Sequence, residues 1–273
     1  MPTLIDRDTA VPLLRQEFAA VATLCDPLSD EQWDTPTCLP GWTVRDNVSH
    51  MLGTESLLLG LAAPEVEVTA GAHVRNAIGQ ANEVWVTALR PLPGAEVLTR
   101  FREVTGRRLA ALDAMTQADF DAPSWTPAGP DETYGRFMRI RHFDCFLHEH
   151  DIRAALGLED RPDPAQLGFA LDEVVTGLGF VVGKRAGLPA GTRVRITLTG
   201  PAARELFVAV EERAQMVDAL PAPPTVELQL PGVLFLRLSG GRLSALPSLD
   251  GDITVGGDRE QAIALATNLA FTI

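Results

Sequence analysis

The residues with the clearest chemical potential lie in Arg141-His-Phe-Asp-Cys-Phe-Leu-His-Glu-His-Asp-Ile-Arg153. On a helix each residue turns about 100°, so Asp144 and His148 stand one turn apart on one face, with Asp151 on that face and His142 and His150 turned elsewhere. A carboxylate and an imidazole so spaced can offer two ligands to a divalent cation, and a further carboxylate three residues on can hold the imidazole in the required tautomer. The same spacing suits an exposed helix pair worth about 0.2–0.5 kcal/mol, and Asp151 could equally cap a helix or pair with an arginine. A third ligand could come from His50, set among Val48, Met51 and Leu52, where a histidine is also at home as a hydrogen-bonded core residue. Antiparallel helices in a bundle can bring His50 opposite Asp144 and His148, giving two histidines and one carboxylate with coordination positions left open. No Gly-x-Ser-x-Gly elbow, P-loop or dinucleotide fingerprint offers a competing chemistry.

Such a set needs helices to carry it. Apolar residues recur at helical spacing over residues 9–24, and Thr43 with Asp46 forms a capping-box pattern that starts a second helix running to about residue 61. Further helices are expected over residues 72–89, 96–115 and 134–156, the last closed by Gly157, with a polar loop at 119–132 and no strand. An antiparallel helical bundle is the economical arrangement for residues 1–160. After a break at Pro162-Asp-Pro the character changes. A helix at 165–184 precedes alternating runs at 192–199, 205–211 and 225–230, a short helix at 232–239, a strand at 252–255 and a closing helix at 259–269. Residues 161–273 therefore read as a small α+β domain, and the whole chain as mainly α plus α+β.

Composition narrows the function. Apolar content of 46% and charged content of 22% are those of a folded globular protein. A net charge of −13 repels phosphate backbones and anionic lipid surfaces, so neither nucleic acid nor membrane is an expected partner. Lys184 is the sole lysine, so the basic residues are almost all arginine. Cys25, Cys38 and Cys145 are odd in number and lack CxxC spacing, which argues against a disulfide framework and for a reducing compartment. The opening residues are acidic where an export signal would be basic, so a cytoplasmic location is expected.

The segment Leu39-Pro-Gly-Trp-Thr-Val-Arg-Asp-Asn-Val-Ser-His50 resembles the turn and ligand-bearing helix of the DinB-like superfamily, and Asp144-x-x-x-His148-x-x-Asp151-Ile-Arg resembles its second signature. Within that superfamily the chain is similar to the mycothiol-dependent maleylpyruvate isomerase family. The resemblance implies a DinB-like four-helix bundle followed by a domain related to sterol carrier protein 2, the latter carried by residues 226–242 and 253–258. It further implies one divalent ion, expected to be zinc, held by His50, Asp144 and His148, with Asp151 behind a ligand histidine and mycothiol as thiol cosubstrate. Arg75 and Arg242 become candidates for binding a carboxylate of thiol or substrate, since a guanidinium offers a fixed fork of donors. The family's carboxylate ligand is usually glutamate, so Asp144 would require the ion closer to its helix or tighter helix packing. The implied activity is S-transfer to, or isomerisation of, a small electrophilic substrate. A non-catalytic small-molecule-binding protein and a metal-dependent hydrolase are the alternatives.

Overall fold

A computed structural model of the chain describes residues 2–69, 71, 74–161, 163–243, 245–249 and 251–271. The chain divides into two compact units, residues 1–160 and 161–273.

The first unit contains α1 (Arg7–Cys25), α2 (Asp30–Trp33), α3 (Val44–Leu58), α4 (Ala77–Leu89), α5 (Gly94–Asp113), α6 (Gln117–Asp121), β1 (Pro123–Thr126), β2 (Gly129–Thr133) and α7 (Tyr134–Ala155). Helices α1, α3, α5 and α7 form the bundle, with α1 and α3 each packed on both α5 and α7, while α4 packs on α3. The periodic apolar stripe of α1 supplies Val11, Leu14, Phe18 and Val21 to the core, where Phe18 meets Phe101 of α5 edge to face.

Three expectations require correction here. The stretch expected to be a strandless loop holds α6 and an antiparallel hairpin of β1 and β2, paired from Pro123↔Thr133 to Thr126↔Gly129. Prolines, a glycine and the adjacent acidic pair Asp131 and Glu132 obscure any alternation, while the positive φ of Gly129 (138°) makes the turn possible. The second helix stops at Leu58 because Gly60 adopts φ 72°, a left-handed conformation that ends helices. The third expected helix was placed from residue 72, which lies outside the described residues. Its observed start is Ala77, because the Asn76 side chain accepts a hydrogen bond from the Gly79 amide and caps it there. Arg75 therefore precedes that helix and is exposed.

The second unit holds α8 (Pro164–Val175), α9 (Leu178–Phe180) continuing into a π-helical turn at Val181–Arg185, β3 (Arg193–Thr199), β4 (Arg204–Val210), β5 (Ala214–Val217), β6 (Val226–Pro231), α10 (Gly232–Ser239), β7 (Thr254–Gly257) and α11 (Arg259–Thr267). Pro162, half of the expected linker signal, lies outside the described residues. The single helix expected over 165–184 is broken at Gly177, where the ring of Phe271 comes within 2.4 Å of the place a Cβ would occupy. The sheet order is β5-β4-β3-β6-β7, antiparallel except for the parallel pair of β3 and β6. Register sets Val194, Ile196 and Leu198 against Val226, Leu228 and Leu230, all buried, and α10 and α11 pack on these strands. Strand β5 escaped sequence reading because it is a four-residue edge strand with no apolar alternation. Among the described residues no single helix is long and apolar enough to cross a membrane.

Candidate metal centre

The centre is assembled where α3 faces α7. The approach to α3 is a closed turn in which Pro36 bridges Thr43 and the Thr37 hydroxyl donates to the Trp42 carbonyl at 3.0 Å. Thr43 and Asp46 then form a reciprocal capping box, and Arg90, just past α4, ties the turn down by donating to Asp46 Oδ1 (3.0 Å) and the Gly41 carbonyl (2.9 Å). These contacts fix the helix phase, so Asn47 and His50 point inward, one turn apart. On the facing side, Thr133 caps α7, whose residues are buried nearly all round.

His50, Asp144 and His148 come together, each offering one ligand atom, with all three atoms within 4.8 Å of one another. His50 Nε2 lies 3.1 Å from Asp144 Oδ2, His148 Nε2 lies 3.6 Å from Asp144 Oδ1, and the two imidazole centroids are 4.9 Å apart. Two nitrogens and one carboxylate form a donor set that suits zinc and other first-row divalent ions.

The orientation of His148 follows from hydrogen-bond logic. Asn47 Nδ2 must face the Thr43 carbonyl (2.8 Å), which only accepts, so Asn47 Oδ1 is the atom 2.8 Å from His148 Nδ1. The ring therefore donates from Nδ1, with Asp151 Oδ2 a longer partner at 3.3 Å, and presents the lone pair of Nε2 to the centre. His50 differs: its Nδ1 is buried and meets no partner among the described residues, so Nε2, turned toward Asp144, carries its polar contact. Asp151, fully buried, also accepts from the Cys38 thiol at 3.3 Å.

Trp42, Asn47 and Arg141 also belong to the site, although the sequence pattern does not single them out within their segments. Trp42 lies against both imidazoles, at centroid distances of 5.2 Å to His50 and 6.0 Å to His148, its indole N–H donating to the buried Glu83 at 2.6 Å. Asn47 looked like an ordinary polar helix residue, and Arg141 like a solvated charge. Arg141 instead is buried, donating from Nη1 to Asp144 Oδ2 at 2.7 Å and from Nε to Glu55 Oε1 at 2.9 Å. Glu55 Oε2 in turn accepts from Arg108 Nε (3.1 Å), whose Nη2 donates to the Tyr134 hydroxyl (2.6 Å). Capping logic could have flagged Asn47, one turn past the Thr43 cap; nothing in the periodicity marks the arginines as internal.

Protonation follows from burial and these charges. Burial lowers the pKa of His50 despite the opposing pull of Asp144, so the imidazole is neutral at neutral pH. Burial opposes ionisation of Asp144, but the fields of His50, Arg141 and His148 outweigh it and hold the carboxyl well below the usual range. With His50 neutral, Arg141 is the permanent positive charge in that group. The remaining helix-7 histidines stay apart: His142 and His150 are buried against Phe146, and His150 Nδ1 donates to the Phe146 carbonyl at 2.8 Å. Arg75 sits in the exposed segment ahead of α4, and Arg242 in the second unit follows α10, with Nη1 donating to the Gly240 carbonyl at 2.7 Å.

Residues 14–153 match the family described as the mycothiol maleylpyruvate isomerase N-terminal domain, and residues 169–263 match the MDMPI C-terminal domain. An uncharacterized protein of Mycobacterium tuberculosis, found in strains CDC 1551 and H37Rv, is 29% identical over 149 residues, covering 53% of this chain and 55% of its own. The chain thus spans about half the length of the curated relatives it matches. The crystal structure of the mycothiol-dependent maleylpyruvate isomerase superposes with a TM-score of 0.59 at 13% identity, covering 92% of this chain and 93% of that one. A histidine-to-alanine mutant of the isomerase gives 0.57 with the same identity and coverage. At that identity the likeness concerns the fold.

Proposed function

This chain belongs to the mycothiol maleylpyruvate isomerase family, and from that premise we propose that it is a divalent-metal-dependent enzyme using mycothiol to isomerise, or add sulfur to, a small electrophilic substrate. The observation that supports this reading is the convergence of His50, Asp144 and His148 within 4.8 Å. A divalent cation bound there, with zinc the expected one, would supply positive charge that lowers the pKa of a thiol and so provides a thiolate at neutral pH.

The chain's own residues prepare that chemistry. Asn47 and Asp151 keep the His148 proton on Nδ1, leaving Nε2 as a donor of electrons. His50, neutral through burial, adds a second nitrogen without adding repulsive charge. Asp144 contributes the negative charge, and Trp42 shields the imidazole faces from water. In this proposal residues 1–160 carry the metal chemistry and residues 161–273 contribute substrate selection. Arg75 and Arg242 are proposed to bind carboxylate groups of thiol or substrate.

Purified full-length protein should contain stoichiometric divalent metal by elemental analysis. Given mycothiol, it should isomerise maleylpyruvate or form a mycothiol adduct with a bimane electrophile detectable by mass spectrometry. Metal-loaded protein that does neither would overturn the reading.

A further inference from the structure

We propose that Arg141 is the positioning residue of this centre: held from behind by Glu55 and Arg108, it fixes the Asp144 carboxylate in the orientation that faces both histidines. The inference rests on the reading of His50, Asp144 and His148 as metal ligands. Of those three side chains Asp144 is the most exposed, at 28% against 6% for His50 and 5% for His148. The two rings are wedged against Trp42, and His148 is further held by Asn47, but a short carboxylate at a partly open position needs another restraint. Arg141 Nη1 provides it at 2.7 Å from Oδ2.

That restraint is rigid because of what lies behind it. Glu55 spends one oxygen on Arg141 Nε and the other on Arg108 Nε, so its carboxylate is clamped between two guanidiniums drawn from α7 and α5. Arg108 is completed by the Tyr134 hydroxyl. The side chains of Arg141, Glu55 and Arg108 are only 4%, 2% and 1% exposed. Burying three charges in a helical core is a poor route to stability, since apolar side chains of similar volume usually serve as well or better. The ladder ends on the carboxylate of the centre, which gives it a task that packing alone does not.

Charge and positioning make opposite forecasts. If Arg141 acted only through its charge, removing that charge would strengthen cation binding, and lysine would substitute without effect. If it acts by orienting Asp144, both changes weaken binding, because an ammonium cannot reproduce the fork that spans Asp144 and Glu55. The test titrates metal-free full-length wild type, Arg141→Met and Arg141→Lys with Co2+, reading visible absorption, and with Zn2+ against a chromophoric chelator. Circular dichroism confirms which variants retain their helices; should Arg141→Met fail to fold, Arg141→Lys decides. The expected result is a loss of affinity of about 10–100-fold in both variants, with an altered Co2+ spectrum. Tighter binding by Arg141→Met, or folded variants with wild-type affinity and spectrum, would overturn the inference alone. A wild type that binds neither ion would overturn the ligand reading itself, before any variant is compared.

Discussion

Replacing Asn47 with alanine removes the acceptor that decides which nitrogen of His148 carries the proton. Asn47 Oδ1 lies 2.8 Å from that nitrogen and Asp151 Oδ2 3.3 Å, and the shorter bond holds the ring. Without it the buried N–H loses its shortest contact, at a cost of about 1–3 kcal/mol. Since about 1.4 kcal/mol is a factor of ten in affinity, Asn47→Ala should weaken divalent-metal binding by roughly 10–100-fold. Asp151→Asn keeps the volume and leaves the Asn47 bond intact, so its effect should be smaller. Competition of each variant with a chromophoric zinc chelator measures the affinities, and nitrogen-detected NMR of the histidines reports the tautomer in the metal-free protein. Wild-type affinity in Asn47→Ala, a larger loss in Asp151→Asn, or a His148 proton found on Nε2 would refute the reasoning.

Three further outcomes follow from burial. Both His50 and His150 have pKa values lowered, first by burial, so below about pH 6.5 the unfolded chain takes up protons that the folded chain refuses. Stability of the metal-free protein should then fall as the pH drops through that range, with a slope of up to about 1.4 kcal/mol per pH unit for each histidine; a urea midpoint that is unchanged between pH 7.5 and 5.5 would contradict this. Burial, then the field of Glu149, pushes the Cys25 thiol up to about 12, and burial raises Cys145 well above its ordinary value, whereas Cys38 is exposed. Brief alkylation of native protein should therefore label Cys38 alone, as peptide mass mapping will show. Gly94→Ala would place a methyl 2.1 Å from Cγ of the buried Trp33, and despite alanine's better helix propensity it should lower stability by about 1–3 kcal/mol in chemical denaturation.

The sequence made the bundle legible because its long helices repeat apolar residues on one side, as Val11, Leu14, Phe18 and Val21 do in α1. Strands β3 and β6 were legible for the matching reason, a period of two with one face buried. Asp144 and His148 could be placed on one face by helical spacing, but His50 joins them only through tertiary packing, which the turn motif and family resemblance suggested. Short elements were the weak point. Helix α6 carries a capping box of Thr116 and Asp119, and α2 one of Ser29 and Gln32, yet four or five residues give periodicity too little to work on. The polar ladder was invisible for a deeper reason. Sequence patterning treats Glu55, Arg108 and Arg141 as solvent-facing, and only the neighbours contributed by other helices make their interior position tolerable.

The central strand of the second unit has consequences for how the chain is made. Strand β3 finds one neighbour, β4, immediately downstream, but its other neighbour, β6, is synthesised later and must return in parallel to meet it. During translation the β3–β4–β5 meander can close while the far edge of β3 still offers unpaired amides beside Val194, Ile196 and Leu198. That interval is when nascent chains could stick to one another. A product ending before residue 226 should scatter light where the full chain stays clear, making arrival of β6 the event that ends the exposure.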